Sequence, residues 1–190
     1  MTRRDSIASA WFESEYARDP DPWQFATSDY EREKYGETIA ALDGRCFASG
    51  FEVGCSIGVL TVQLAERCAR LMAVDVAEAA LVQARARCPG VSFARTRVPD
   101  AWPAQRFDLI VLSEVLYYLR SDEIDRLAEH VRDTLVPGGV VLLVHWTGAT
   151  DYPLAGDEAA ERFIGVSRPW LNPVRQSRRP QYRLDRLDRG

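Results

Sequence analysis

Phe51-Glu52-Val53-Gly54-Cys55-Ser56-Ile57-Gly58, followed downstream by Leu71-Met72-Ala73-Val74-Asp75, decides the fold. A short apolar run stops at Gly54, and two glycines bracket a small polar residue. A helical pattern follows over 58–70, with Leu60, Leu64 and Cys68 on one face. This is a strand, a tight turn and a helix. Such a turn needs residues without bulky Cβ groups, and it brings backbone N–H groups against a ligand. The helix N-terminus beyond it favours a negative group. Asp75 closes the next apolar run, at the carboxyl end of a strand, where the hydroxyls of a ribose can donate to it.

The same alternation extends outward. The spacing predicts strands at 51–53, 71–75, 91–94, 107–112 and 140–146, and helices at 58–70, 77–88 and 122–135. Ser121 is the expected N-cap of the last helix, and Pro137-Gly138-Gly139 its stop. The run 107–112 is continuously apolar, as in a strand buried on both faces. Strand–helix alternation of this kind implies a parallel sheet with right-handed crossovers. Residues 1–46 hold Trp11, Phe12, Tyr16, Trp23, Phe25, Tyr30 and Tyr35, and a helix opening with the capping box Ser28-Asp29-Tyr30-Glu31. Residues 147–180, with their Gly and Pro, are expected to be loops, and 181–187 an edge strand.

The length of 190 residues argues for one domain, divided into an N-terminal lid (1–46), a cofactor-binding core (47–146) and a substrate loop with the last strands (147–190). A net charge of -4 excludes a strongly basic nucleic-acid or membrane binder. The Arg-rich tail from Arg168 to Arg189 is interleaved with Asp185 and Asp188 and is expected to be a solvated edge strand. Lys34, the single lysine, can meet Tyr30 at i, i+4 and is expected on a solvated helix face. Cys46, Cys55, Cys68 and Cys88 form no CxxC pair, and only two His are present. No metal site is expected, and the thiols fit a reduced, cytoplasmic protein. The basic start Met1-Thr2-Arg3-Arg4-Asp5 leads into no signal core, and no apolar run approaches the ~20 residues of a membrane span.

Two adenosine cofactors suit the glycine loop. A dinucleotide fingerprint counted from Gly54 needs glycines at 56 and 59, where Ser56 and Val59 stand. The frame acidic-x-Gly-x-small-x-Gly is satisfied by Glu52, Gly54, Ser56 and Gly58. Any tight strand-to-helix turn collects glycine, and Asp75 suits either cofactor, so the loop alone leaves the choice open.

Taken with Asp100 beyond the third strand, the run from Phe107 to Glu114 and Val136-Pro137-Gly138-Gly139, the chain resembles the class I methyltransferases. That resemblance implies an α/β fold, a doubly wound, seven-stranded, mostly parallel Rossmann-like sheet with an N-terminal helical lid. It implies S-adenosylmethionine as cofactor and S-adenosylhomocysteine as product. The cofactor contacts it implies are Glu52, Gly54, Cys55, Ser56 and Gly58 in the loop, Asp75 and Val76, Asp100 and Ala101 at the adenine, and Ser113. Trp23 is a candidate cover from the lid. A narrower likeness, to the nodulation protein S family, lies in Asp21-Pro22-Trp23, Tyr30-Glu31, Lys34-Tyr35, residues 113–119, His145-Trp146, 150–154 and Gly156-Asp157. It implies N-methylation of an amino sugar, a small-molecule acceptor. The family pattern carries a His shortly after the Gly-Asp pair, where Glu158-Ala159-Ala160 stand here.

An amine must be neutral when it attacks a sulfonium methyl, so a group that orients it and takes its proton is needed. Glu114 and His145 end the fourth and fifth strands and are the leading candidates, with Tyr118 as the pocket member of the Tyr117-Tyr118 pair. Adjacent residues there are expected to point apart, leaving Tyr117 in the core. Trp146, Asp151, Tyr152 and Asp157 are candidate acceptor contacts. O-methylation with the same residues and a non-catalytic cofactor-binding module are the alternatives.

Overall fold

The computed structural model describes residues 5–190; the basic start of the chain lies outside them. The chain divides into two compact units, Ala8–Arg97 and Val98–Gly190, the latter also including residues 5–7.

In the unit Ala8–Arg97, helices α1 (Ser9–Arg18) and α2 (Asp29–Ala40) precede β1 (Gly50–Val53), α3 (Val59–Ala65), β2 (Leu71–Asp75), α4 (Glu78–Arg87) and β3 (Ser92–Arg95). The strands run in the order β3-β2-β1, all parallel. Val53 pairs with Val74, which sets Gly54 and Asp75 side by side where the two strands end. Ser28 caps α2 as the capping box predicts, its hydroxyl accepting the Glu31 N–H at 3.4 Å. Helix α3 is shorter than its pattern. The Phe47 N–H donates to the Arg67 carbonyl at 2.7 Å and the Phe47 carbonyl accepts the Ala69 N–H at 2.8 Å, so Cys68 lies in a β-bridge, not on the helix.

Lys34 departs from expectation. It is 2% exposed, donating to Glu31 Oε1 at 2.9 Å with its ammonium 5.2 Å from the Tyr30 ring centroid. The carboxylate and the ring face supply the attraction that makes burial of the charge tolerable.

The other unit carries β4 (Phe107–Ser113), a 3₁₀ turn (Leu116–Tyr118), α5 (Ser121–Thr134), β5 (Leu135–Trp146), α6 (Gly156–Ser167), β6 (Leu171–Arg178) and β7 (Tyr182–Arg189). The order is β4-β5-β7-β6, with β4 and β5 parallel and β7 antiparallel to both neighbours. The cap of α5 sits one residue earlier than expected. Glu123 Oε2 accepts the Arg120 N–H at 3.0 Å, so Arg120 is the N-cap and Ser121 the first helical residue. Strand β5 also begins earlier: Leu135 pairs with Phe107, and a register shift follows before Leu109 meets Val140, with Gly138 at φ +73°.

The segment expected to be loops contains α6, whose first turn is closed by Glu158 accepting the Ala155 N–H at 3.0 Å. The last strand is interior; the edge is β6. Two arginines of β7 are not solvated, while Arg175 and Arg178 of β6 are exposed as expected. Arg183 and Arg186 are buried, each paired two residues along the same face of β7, Arg183 Nε with Asp185 at 2.8 Å and Arg186 Nε with Asp188 at 2.8 Å. Among the described residues no helix is long and apolar enough to cross a membrane.

Candidate active site

The turn after β1 is built on left-handed backbone at Gly54 (φ +74°), Ser56 (φ +51°) and Gly58 (φ +82°). At Gly58 a Cβ would stand 3.0 Å from the Ala84 Cα, so glycine is also what lets α3 close on α4. Ser56 tolerates its left-handed conformation because its neighbours hold it. Its N–H donates to Asp75 Oδ2 at 2.8 Å, and its hydroxyl bonds the Tyr16 hydroxyl. Asp75 Oδ1 accepts the Ala77 N–H at 2.9 Å. Burial raises the Asp75 pKa, and the backbone N–H groups oppose that shift. The carboxylate is therefore held in one orientation by two backbone N–H groups. Val76 stands next to it, its carbonyl accepting Arg95 Nε at 3.0 Å.

Glu52 and Cys55 point inward. Glu52 Oε2 accepts the Thr61 hydroxyl at 2.6 Å, tying β1 to the first turn of α3. Burial pushes its carboxyl up to about 7, against the Thr61 bond and with help from Asp75. The Cys55 thiol is pushed up by burial and by Asp75, which keeps it protonated and unreactive.

The N-terminal segment is fastened to this loop. Tyr16 and Trp23 pack with Phe12 and Phe25 against Ile57, Ala77 and Ala80, the Tyr16 and Trp23 rings edge to face at 5.4 Å. Glu13 Oε2 accepts the Glu78 N–H at 2.8 Å, capping α4, which has no side-chain cap of its own. Glu13 and Tyr16 are absent from the sequence-derived candidates. Their partners lie 65 and 40 positions away, beyond any local pattern.

In the other unit the ends of β4 and β5 are cross-locked. Glu114, at φ +55°, directs Oε2 to the Trp146 N–H at 2.9 Å and to the Tyr117 hydroxyl at 2.6 Å. His145 is fully buried, and its Nε2 accepts the Leu116 N–H at 3.2 Å. Ser113, buried at the end of β4, pairs with Val144. Tyr117 and Tyr118 do not part as expected. Successive residues of a 3₁₀ turn are about 120° apart, and both rings reach Tyr152, at 5.3 and 4.7 Å. Burial pushes both hydroxyls well above the ordinary tyrosine range, with Glu114 adding to the shift at Tyr117 and Tyr152 to that at Tyr118. Tyr118 is half-buried and Tyr117 buried.

Gly156 is the sharpest steric requirement of this region: a Cβ there would lie 1.9 Å from the Trp146 carbonyl oxygen. The Trp146 indole also lies against Gly148, where a Cβ would stand 2.5 Å from its ring. Asp157 is drawn to Arg178 at 2.8 Å and Arg183 at 3.1 Å, which lower its pKa. Asp151 is exposed in the loop after β5, and Ala160 is buried on α6. Asp100 and Ala101 are exposed on the turn before β4, Asp100 paired with Arg126 at 3.4 Å.

The chain is similar to known proteins over most of its length. Nodulation protein S of Bradyrhizobium diazoefficiens is 40% identical over 105 residues, 53% of this chain and 50% of that protein. Nodulation protein S of Sinorhizobium fredii is 35% identical over 124 residues, 63% of this chain and 57% of that protein. The chain thus spans about half the length of the curated relatives it matches. The crystal structure of the N-methyltransferase NodS from Bradyrhizobium japonicum WM9 in complex with S-adenosyl-L-homocysteine superposes with a TM-score of 0.83 and 29% identity. That match covers 96% of this chain and 98% of the other. The fold is the doubly wound, seven-stranded, mostly parallel Rossmann-like methyltransferase sheet expected from the sequence. The family model for Nodulation protein S (NodS) matches residues 9–141, and the chain belongs to that family.

Proposed function

We propose that this protein transfers the methyl group of S-adenosylmethionine to an amino group on a small, amino-sugar-like acceptor, releasing S-adenosylhomocysteine. The observation that carries the reading is the match to the nodulation protein S family over residues 9–141, which includes the left-handed loop from Gly54 to Gly58 and the Asp75 carboxylate held by the Ser56 and Ala77 N–H groups. Membership of the nodulation protein S family supports an amine as acceptor. Bound S-adenosylmethionine would supply an electrophilic methyl on its sulfonium, so that the nitrogen–carbon bond would form as the carbon–sulfur bond breaks and the resulting ammonium would give up its proton to water.

The protein's part is alignment, worth several kcal/mol of the ~7–11 available to well-oriented reactants. Gly54, Ser56 and Gly58 present backbone to the methionine end, and Asp75 takes the ribose. Trp23 and Tyr16 cover the loop and keep water from it. Glu114 orients the acceptor amine while fixing the Trp146 backbone. His145 acts through Leu116 as a positioning residue, since its Nε2 already accepts a hydrogen bond. Tyr118, Tyr152 and Trp146 offer an aromatic wall to the apolar face of a sugar ring. The four free cysteines suit a cytoplasmic enzyme.

Calorimetry with S-adenosylmethionine, S-adenosylhomocysteine and NAD tests the cofactor. Binding of the first two and not of NAD is expected, and the reverse refutes the reading. Labelled methyl transfer to chitosan oligomers before and after N-acetylation tests the acceptor; equal labelling of both forms rules out an amine.

A further inference from the structure

Glu114 follows β4 on left-handed backbone, at φ +55°, its own N–H donating to the Val144 carbonyl at 2.8 Å. Glycine or asparagine adopts that conformation at less cost, so the turn alone does not call for glutamate. The glutamate contributes a half-buried carboxylate with two donors on one oxygen. Oε2 accepts the Tyr117 hydroxyl at 2.6 Å and the Trp146 N–H at 2.9 Å. The shorter distance is that of a hydroxyl donating to an ionised carboxylate. Both bonds favour the charged form, and partial burial opposes it.

The Tyr117 ring is held by three others, so its hydroxyl stays on Glu114. Tyr118 meets it edge to face at 4.6 Å, Tyr152 stacks on it at 5.3 Å, and His145 meets it edge to face at 5.6 Å. The Tyr117 carbonyl accepts the Leu154 N–H at 3.4 Å, which ties the loop bearing Tyr152 to the same residue. Burial pushes the Tyr117 and Tyr118 hydroxyls well above the ordinary tyrosine range, so both keep their hydrogens at neutral pH. The His145 Nε2 lone pair is occupied by the Leu116 N–H. Titratable groups thus face the carboxylate from three elements. Tyr117 and Tyr118 come from the 3₁₀ turn, Tyr152 from the loop and His145 from β5, all within the unit Val98–Gly190.

Resting on the methyltransferase reading above, we propose that Tyr117 is a positioning residue: it fixes the direction of the Glu114 carboxylate and holds it ionised, so that Glu114 accepts an N–H of the acceptor amine into the acid range. A protonated carboxyl would turn a donor toward that N–H and lose the contact. Without the Tyr117 hydroxyl, Glu114 keeps its partial burial and loses its charge-assisted bond, and so takes up a proton at higher pH.

Two measurements on the wild type and Tyr117→Phe test this; the phenylalanine keeps the ring packing and removes only the hydroxyl. In protein labelled with carbon-13 at the glutamate carboxyls, NMR follows the Glu114 signal with pH, identified by its loss in Glu114→Gln. The midpoint is expected to rise by about one unit or more in Tyr117→Phe, and an unmoved midpoint overturns the proposal. Labelled methyl transfer to chitosan oligomers gives the pH profile of kcat/KM. Its acid limb is expected to move up in Tyr117→Phe, with a loss of about tenfold near the limb that shrinks toward neutral pH. An equal loss at every pH, with the limb in place, would make the hydroxyl merely structural and overturn the proposal. Tyr152→Ala removes one of the rings that hold Tyr117 and should shift both readouts the same way by less, so it decides if Tyr117→Phe fails to fold. Wild-type protein that transfers no methyl to the oligomers, while the midpoint moves as expected, would refute the amine-methyltransferase reading and leave the Tyr117–Glu114 pairing standing.

Discussion

The Leu116 backbone N–H donates to His145 Nε2 at 3.2 Å, and this one bond defines where the hydrogen of the imidazole sits. Nε2 carries the lone pair and Nδ1 the hydrogen. With the ring fully buried against Tyr117, His145 braces the 3₁₀ turn that carries Tyr117 and Tyr118.

His145→Phe is therefore expected to lower turnover by about tenfold, because it strands a buried N–H at a cost of about 1–3 kcal/mol. His145→Gln, which can offer an acceptor near Nε2, retains more activity. Both variants keep the shape of the wild-type pH–rate profile. Loss of one limb of that profile would identify His145 as the base and contradict the positioning role.

Glu52 makes stability depend on pH. Its carboxyl is pushed from the ordinary 4.5 up to about 7 in the folded protein. Between those values the native state holds more protons than the unfolded state, so stability falls as pH rises through this window and is level above it. The drop is at most about 3 kcal/mol. Glu52→Gln keeps an acceptor for Thr61 and removes the titration. Urea midpoints from pH 4.5 to 8 should show the variant gaining on the wild type as pH rises. A constant difference across that range would show that Glu52 is not perturbed.

Two glycines of α6 should respond in opposite directions. Gly156→Ala drives a methyl into the Trp146 carbonyl and is expected to destabilise by about 3 kcal/mol. Gly165 has nothing within 4 Å of an added Cβ, so Gly165→Ala should stabilise by roughly 0.5–1 kcal/mol through helix propensity. Thermal unfolding of the pair measures both signs, and equal shifts would contradict the steric argument.

The N-terminal helix is held to the cofactor loop by Tyr16 on Ser56 and Glu13 on the Glu78 N–H. Glu13→Ala should cost about 1 kcal/mol as a lost cap and speed hydrogen exchange at the Glu78 amide. Tyr16→Phe should weaken S-adenosylhomocysteine binding by freeing Ser56 from one of its two anchors. Exchange at Glu78 unchanged in Glu13→Ala, or affinity unchanged in Tyr16→Phe, would show that the corresponding latch is idle.

The parts legible beforehand share a cause. The strand from Leu71 to Asp75, the helix Glu78–Arg87 and the cap at Ser28 each depend on residues within a few positions of one another. The misreadings also share one. Lys34 is polar and was expected outside, yet Glu31 and Tyr30, one turn away, make burial possible. Arg183 and Arg186 were expected in solvent, but β6 covers the far side of β7, and Asp185 and Asp188 answer the charge. Helix α6 went unread because the Gly and Pro on either side of it suggest loop, whereas Ala159, Ala160, Phe163 and Ile164 bury one face.

The sequence by itself determined the alternation of strands and helices, the tight glycine turn at Gly54 to Gly58 and the carboxylate at Asp75, because backbone conformation and apolar period are properties of neighbouring residues. It named Glu114 and His145 by their places at two strand ends. Only the tertiary structure decided which groups those side chains meet. The β4–β5 register brings Glu114 to the Trp146 N–H and the Leu116 N–H to His145, and these hydrogen bonds, between residues 32 and 29 positions apart, fix how each side chain is held.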